Sequence, residues 1–77
     1  MTLRELRRSM SLRLVDIAEQ ADLSTSYYCQ IEKGHRAPNL KIVQDLAKAF
    51  NLDRMIIINA IYEQLDKNTH AQKGAIK

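Results

Sequence analysis

Residues 14–40, LVDIAEQADLSTSYYCQIEKGHRAPNL, contain two short helical patterns joined by a tight connection. The apolar residues of the first pattern recur at the i, i+3, i+4, i+7 spacing of one helix face and are Leu14, Ile17, Ala18 and Ala21. This spacing predicts a helix over residues 14–21. In the connection, Asp22 tolerates a left-handed backbone better than most residues. Leu23 is an apolar residue in a polar turn, so we expect it to fill the space between the helices.

The second pattern begins at Ser24, a favourable N-cap, continues to about Lys33 and ends at Gly34, the residue type that most often follows a helix. On a helical projection, Tyr27, Tyr28 and Ile31 lie on one side. The opposite side carries Thr25, Ser26, Cys29, Gln30 and Lys33. An exposed helix face ordinarily carries mixed charge, whereas this one is polar, small and free of acids. It is therefore a candidate contact surface.

Three further helices are predicted over residues 3–10, 40–50 and 54–66, with N-caps at Thr2, Asn39 and Asp53. Glu5 completes a capping box with Thr2, and Asn51 can close the fourth helix in a left-handed conformation. The polar residues 67–77 show no apolar pattern and are expected to form a flexible tail. The predicted fold class is therefore all-α, with a compact five-helix bundle over residues 1–66.

Composition narrows the class of protein. Seventy-seven residues allow one domain, and no window approaches the roughly 18 apolar residues of a membrane span. The first residues lack the apolar core of a signal peptide, and a single cysteine excludes an internal disulfide framework. These features predict a soluble, cytoplasmic protein. The formal net charge of +3 suits a nucleic-acid partner without requiring one.

Catalytic and metal-ligating patterns are not found in the sequence. There is no nucleophile–base set, glycine-rich phosphate loop or pair of carboxylates in a plausible pocket, so we expect neither an enzyme nor a cofactor. His35 and His70 lie far apart, and no metal is expected. Cys29 is a possible redox or metal sensor, although a lone cysteine is more often a small filler.

Residues 17–34, IAEQADLSTSYYCQIEKG, resemble the Cro/phage-repressor (XRE-type) helix-turn-helix family. The family signature runs Leu-Ala, a Gly-Val-Ser turn, Tyr-Ile-Ser-x-Ile-Glu-x-Gly, then Pro-x-Leu. The corresponding residues here are Ile17-Ala18, Asp22-Leu23-Ser24, Tyr27-Tyr28-Cys29-Gln30-Ile31-Glu32-Lys33-Gly34 and Pro38-Asn39-Leu40. The resemblance extends over about residues 3–60. It implies a lambda-repressor-like bundle in which residues 25–33 form the recognition helix that enters the DNA major groove.

The resemblance also implies a set of DNA contacts. Thr25, Ser26 and Gln30 fall where family members touch base edges, and glutamine can pair with adenine. The basic residues nearby are expected at phosphates. The full set of candidate DNA-binding residues is Arg13, Ser24, Thr25, Ser26, Tyr27, Gln30, Lys33, Arg36 and Lys41. The alternative is that the hydroxyl residues only cap the helix and that the basic residues only aid solubility.

Supporting residues follow from the same resemblance. It implies an ion pair between Arg7 and Glu32 that links the first helix to the recognition helix. Independently of the resemblance, both tyrosine rings are expected in the core, with the Tyr28 hydroxyl at its rim; the alternative for Tyr27 is that its hydroxyl contacts a phosphate. The family usually begins its second helix with a phosphate-binding glutamine after a capping residue; this chain has Leu14 after Arg13. A lost cap costs about 1 kcal/mol, although Arg13 could still reach a phosphate.

The last predicted helix carries more apolar residues than one core face requires. The surplus residues Met55, Ile56, Ile58 and Tyr62 are a candidate dimer interface; alternatively, the helix simply closes a small core. The leading hypothesis is a sequence-specific transcriptional regulator, a repressor or autoregulator that binds a palindromic operator as a homodimer. Its regulation would come from protein concentration, a separate protein regulator or proteolysis. The alternative is a protein-interaction module, such as the antitoxin of a toxin–antitoxin pair.

Overall fold

The computed structural model describes residues 1–68, which form five α-helices and no strand. The helices are α1 Leu3–Ser9, α2 Leu14–Gln20, α3 Thr25–Glu32, α4 Leu40–Phe50 and α5 Arg54–Asn68. The predicted all-α five-helix fold is therefore confirmed. α5 continues two residues beyond its predicted end and includes Lys67 and Asn68, which were assigned to the tail. The rest of that tail, residues 69–77, lies outside the described residues.

Local hydrogen bonds explain where the helices begin. The Glu5 backbone N–H donates to the Thr2 hydroxyl at 3.3 Å, and the Thr2 N–H donates to the Glu5 carboxylate at 2.8 Å, which completes the predicted capping box. The side chains of the other predicted caps also accept a backbone N–H. The distances are 3.1 Å at Ser24, 2.9 Å at Asn39 and 2.8 Å at Asp53. The starts of α1, α3, α4 and α5 are thus each set by a residue that satisfies an otherwise unpaired backbone donor.

The start of α2 differs from the expectation of a lost cap. Arg13 has no side-chain acceptor, but its backbone N–H donates to the Asp16 carboxylate at 2.8 Å. This bond is the half of a capping box that the third helical residue supplies. It offsets part of the cost predicted for an arginine at this position.

The core lies between all five helices. α4 packs against α5 and α2, α1 packs against α5, and α2 packs against α3. The largest fully buried side chains are Leu3, Ile17, Tyr28, Ile31, Leu46, Phe50 and Ile57. Leu23 is half-buried and packs against this core, as its place in the turn predicted. No helix within residues 1–68 is both long and apolar enough to span a bilayer.

Within residues 1–68, three residues other than glycine adopt a left-handed backbone. Asp22 and Asn51 do so as predicted, with φ of 59° and 57°. Ser11, between α1 and α2, also has φ of 57°, which the sequence did not predict. The conformation costs most residues about 1–2 kcal/mol. The turn that leads into α2 therefore contains local backbone strain.

Candidate nucleic-acid interface

α2 and α3 are joined by a short turn that fixes one helix against the other. The Leu23 N–H donates to the Ala18 carbonyl at 2.8 Å, and the Asp22 N–H donates to the Glu19 carbonyl at 3.1 Å. The left-handed Asp22 then reverses the chain direction. Because Ala18 and Ala21 are small and buried, α3 can pack closely on α2. This turn therefore sets the direction of α3 relative to α2.

α3 has one buried and one exposed side, as its pattern predicted. Tyr28, Ile31 and Glu32 are buried, whereas Thr25, Ser26 and Lys33 are exposed. Tyr27, Cys29 and Gln30 lie at the boundary and are half-buried. Glu32 is the acidic residue of α3, and its burial leaves the exposed side free of negative charge.

A buried ion pair anchors the end of α3 to α1, as the resemblance implied. The Arg7 guanidinium donates to both Glu32 carboxylate oxygens, at 2.6 and 3.2 Å, and to the Leu12 carbonyl at 2.9 Å. The Glu32 side chain is only 2% exposed and that of Arg7 11%. The hydrogen bond from Glu32 raises the pKa of Arg7 against the opposing effect of burial. Arg7 is therefore held as a cation, and the pair is largely shielded from solvent.

The Tyr28 hydroxyl is not at the rim of the core, and that expectation was wrong. The whole residue is buried, including the hydroxyl oxygen. Removal from water, with the nearby charge of Glu32, raises the pKa of Tyr28 well above its usual value. Tyr28 thus supports α3 from inside the bundle, whereas the ring of Tyr27 is only half-buried.

A second buried support comes from α5 and was missed in the sequence. The Gln64 side chain accepts a hydrogen bond from the Leu3 N–H at 3.2 Å, and its amide group donates to the Ile31 carbonyl. Gln64 is 5% exposed. It therefore joins the start of α1 and the end of α3 to α5. The only sequence signal is a glutamine flanked by the apolar residues of α5, which does not identify its partners.

The end of α3 brings three candidate DNA contacts together. The Gly34 N–H donates to the Ile31 carbonyl at 3.0 Å, and the His35 N–H donates to the Gln30 carbonyl at 2.9 Å. With φ of 79° at Gly34, these bonds form a Schellman motif that turns the chain back. Arg36 then donates from Nε to the Gln30 side-chain oxygen at 2.8 Å. Its guanidinium carbon lies 5.6 Å from the centroid of the Tyr27 ring.

Two other predicted contacts are paired with carboxylates on their own helices. Arg13 lies 3.0 Å from Asp16, and Lys41 lies 3.2 Å from Asp45. The basic side chains are 78% and 82% exposed. The hydrogen bond between Arg13 and Asp16 raises the pKa of Arg13 and lowers the pKa of Asp16. Exposed pairs of this kind are weak, so both cations can exchange a carboxylate for a phosphate.

The remaining candidate residues fall on other surfaces. Cys29 is a free, half-buried thiol, and no group of three potential metal ligands occurs within the described residues. On α5, Met55, Ile56 and Tyr62 are 55%, 42% and 71% exposed, whereas Ile58 is half-buried and packs on the core. Beside Tyr62 lies an apolar groove of about 380 Å³, which Leu40 and Ile58 also line.

A bracing helix, a tight turn and a second helix with an exposed polar side define the helix-turn-helix class of proteins. A family model described as "Helix-turn-helix" matches residues 3–55, and the chain belongs to this family. Over 50 residues it is 42% identical to the HTH-type transcriptional regulator DdrOP3 of Deinococcus deserti. The match covers 65% of this chain and 39% of that relative, so the chain spans about two fifths of the relative's length. No solved structure gave a significant match.

Proposed function

We propose that this chain is a sequence-specific DNA-binding transcriptional regulator, a repressor or autoregulator, and not an enzyme. The exposed side of α3 is the observation that carries the proposal. It presents Thr25, Ser26 and Gln30 without a competing acid, and its opposite side is held by packing, the Glu32 ion pair and Gln64. The name of the relative, a transcriptional regulator, supports the same function.

The contacts divide into reading and anchoring roles. Thr25, Ser26 and Gln30 present hydroxyl and carboxamide groups that can hydrogen-bond to base edges in the major groove. Lys33, at the C-cap of α3, and the exposed Arg13 carry positive charge toward phosphates. Ser24, Tyr27, Arg36 and Lys41 complete the proposed DNA-binding set. Phosphate contacts would fix the register of α3, and base contacts would select the sequence.

The proposal includes a homodimer formed through α5. Met55, Ile56 and Tyr62 expose apolar surface that the bundle itself does not cover, and a two-fold dimer would cover it. Two copies related in this way would place their recognition helices in successive major grooves about 34 Å apart. The operator would then be a palindrome with half-sites one helical turn apart.

The proposal is tested by selecting bound fragments of genomic DNA at near-physiological salt. We expect enrichment of one palindromic site. On that site, Gln30→Ala should relax selectivity at one base pair, whereas Lys33→Ala should weaken binding to all sequences equally. Titrations of the selected operator and of single-base variants of it distinguish the two effects. Equal losses for both variants on every sequence would show that the roles are wrongly assigned.

A protein-interaction module, such as an antitoxin, is the second candidate. The exposed Tyr62 and Leu40 beside the apolar groove favour it. The two candidates differ in their dependence on salt. DNA binding weakens by about 0.9 log units per phosphate contact for each tenfold rise in salt, whereas apolar docking responds little. If the protein is folded and the selection enriches no DNA site, the result would favour the interaction module.

A further inference from the structure

The exposed side chain of Arg36 lies against the side chain of Gln30. From this contact we infer that Arg36 is a positioning residue that fixes the orientation of the Gln30 carboxamide and so sets base discrimination at one base pair. The inference rests on the proposed DNA-reading function and extends it. Arg36 otherwise counts only as one of several basic residues near phosphates, which would add affinity without sequence information.

The chemistry of the contact determines which end of the carboxamide faces Arg36. A guanidinium has donors and no acceptor, so the Gln30 amino group cannot bond to it. The bond of 2.8 Å from Arg36 Nε to Gln30 Oε1 therefore directs the amino group away from Arg36. One lone pair of Oε1 also stays available. A donor beside an acceptor is the pattern that adenine requires in the major groove.

Two further features hold Arg36 in this position. The Schellman motif at Gly34 returns the chain toward the last turn of α3, with the His35 N–H bonded to the Gln30 carbonyl. The half-buried Tyr27 ring then lies under the guanidinium, 5.6 Å from its centroid to Cζ, within the range of a cation–π contact. Gln30 is thus held through both its backbone and its side chain.

The terminal side-chain torsion of a glutamine has a broad, roughly two-fold distribution of angles. Without Arg36, nothing in this contact would select one of the two orientations of the Gln30 carboxamide. The carboxamide could then present its oxygen and nitrogen in either order. In the inverted order the carboxamide oxygen faces adenine N7, so two acceptors repel each other. The carboxamide amino group then faces the adenine N6 amino group, so two donors also repel each other. A freely rotating Gln30 would still bind, but it would distinguish bases less well. Lysine does not reproduce this arrangement: its ammonium can donate to Oε1, but it lacks the planar guanidinium that stacks on the ring while it fixes the direction of the Nε–H.

The test compares variants on the selected operator and on a version altered at the base pair that Gln30→Ala identifies. For the unmodified protein, a bidentate contact should give a ratio of affinities between the two sites of about 5- to 150-fold. We expect Arg36→Lys to reduce this ratio toward that of Gln30→Ala and to keep the salt dependence of binding. Lys33→Ala is the matched control and should keep the ratio while weakening both sites.

Tyr27 offers a second pair of variants. Tyr27→Phe keeps the ring under the guanidinium and should keep the ratio, whereas Tyr27→Leu removes the ring and should lower it. In the Gln30→Ala background, Arg36→Lys should lower the ratio no further. Circular dichroism confirms that each variant is folded. A ratio that survives Arg36→Lys, or falls equally with Tyr27→Phe and Tyr27→Leu, would overturn the inference.

Nuclear magnetic resonance of the free protein tests the contact without DNA. We expect an Arg36 Hε signal with a cross-peak to Gln30 and with protection from solvent exchange, and we expect this protection to be lost in Gln30→Ala. Absence of these signals, or an unchanged ratio for Arg36→Lys, overturns the inference while the proposed function stands. Failure of the unmodified protein to bind any selected DNA overturns the proposed function and the inference with it.

Discussion

Replacing Arg7 by methionine would remove both of its hydrogen bonds to the buried Glu32 carboxylate and leave the more exposed Arg4, 3.8 Å away, as its neighbouring cation. The Arg7 and Glu32 side chains are 11% and 2% exposed, so the pair belongs with buried ion pairs rather than with surface ones. Removal of one partner of a buried pair costs about 3–5 kcal/mol. A domain of this length has a free energy of unfolding of about 4–12 kcal/mol at 0.05–0.15 kcal/mol per residue. The loss should lower the melting temperature by about 12–40 °C.

Urea denaturation followed by circular dichroism measures this loss. The double variant Arg7→Met/Glu32→Leu should recover most of the stability, because an apolar pair removes the buried charge. The recovery keeps the test informative if the single variant does not fold. Lys41→Met, which breaks the exposed pair with Asp45, is the control and should cost less than about 1 kcal/mol. The reasoning is refuted if Arg7→Met costs no more than this control, or if the double variant is no more stable than the single one.

Two further predictions concern the turn between α1 and α2 and the start of α2. The hydrogen bond from the Arg13 guanidinium holds the pKa of Asp16 below its ordinary value of 3.8. Its stabilising effect should therefore be present above that value and disappear as the pH falls through the lower pKa of the folded protein. Asp16→Asn should flatten the acid side of the stability profile measured by urea titration, and an unchanged acid side would contradict this. Ser11→Gly should raise the free energy of unfolding by up to about 1 kcal/mol, because glycine relieves a left-handed backbone; a lower melting temperature than that of the unmodified protein would count against it.

Most of the fold can be predicted from the sequence because its signals are local. The Thr2–Glu5 capping box and the stop at Gly34 each act within a few residues, so helix ends can be read without tertiary information. Ser11 could not be predicted in the same way, since serine shows little preference for a left-handed backbone. The Asp16 bond to Arg13 compensates for a missing cap that the residue at the cap position does not reveal.

The position of the candidate residues on α3 was largely predictable from the sequence, whereas their side-chain contacts were not. Helical periodicity predicts which residues of α3 face outward, and Thr25, Ser26 and Lys33 are exposed as expected. The residues at the boundary, Tyr27, Cys29 and Gln30, are all half-buried, so periodicity does not separate them. The partners of Gln64 are backbone groups 61 and 33 residues away in the chain. Helical periodicity describes only neighbouring residues, so it cannot predict contacts between such distant positions. The contact of Arg36 with Gln30 depends on the direction of the chain after Gly34, which the loop residues alone do not determine.

The separation of the two sides of α3 bears on how such a protein could be given a new target. The groups that hold α3 in place, Tyr28, Ile31 and Glu32, are all buried on one side. Thr25 and Ser26 lie on the other and contribute nothing to the core. Substitutions at the outward positions can therefore accumulate at little cost in stability. A library randomised at those positions, with the buried three retained, should yield mostly folded proteins with altered operator preference.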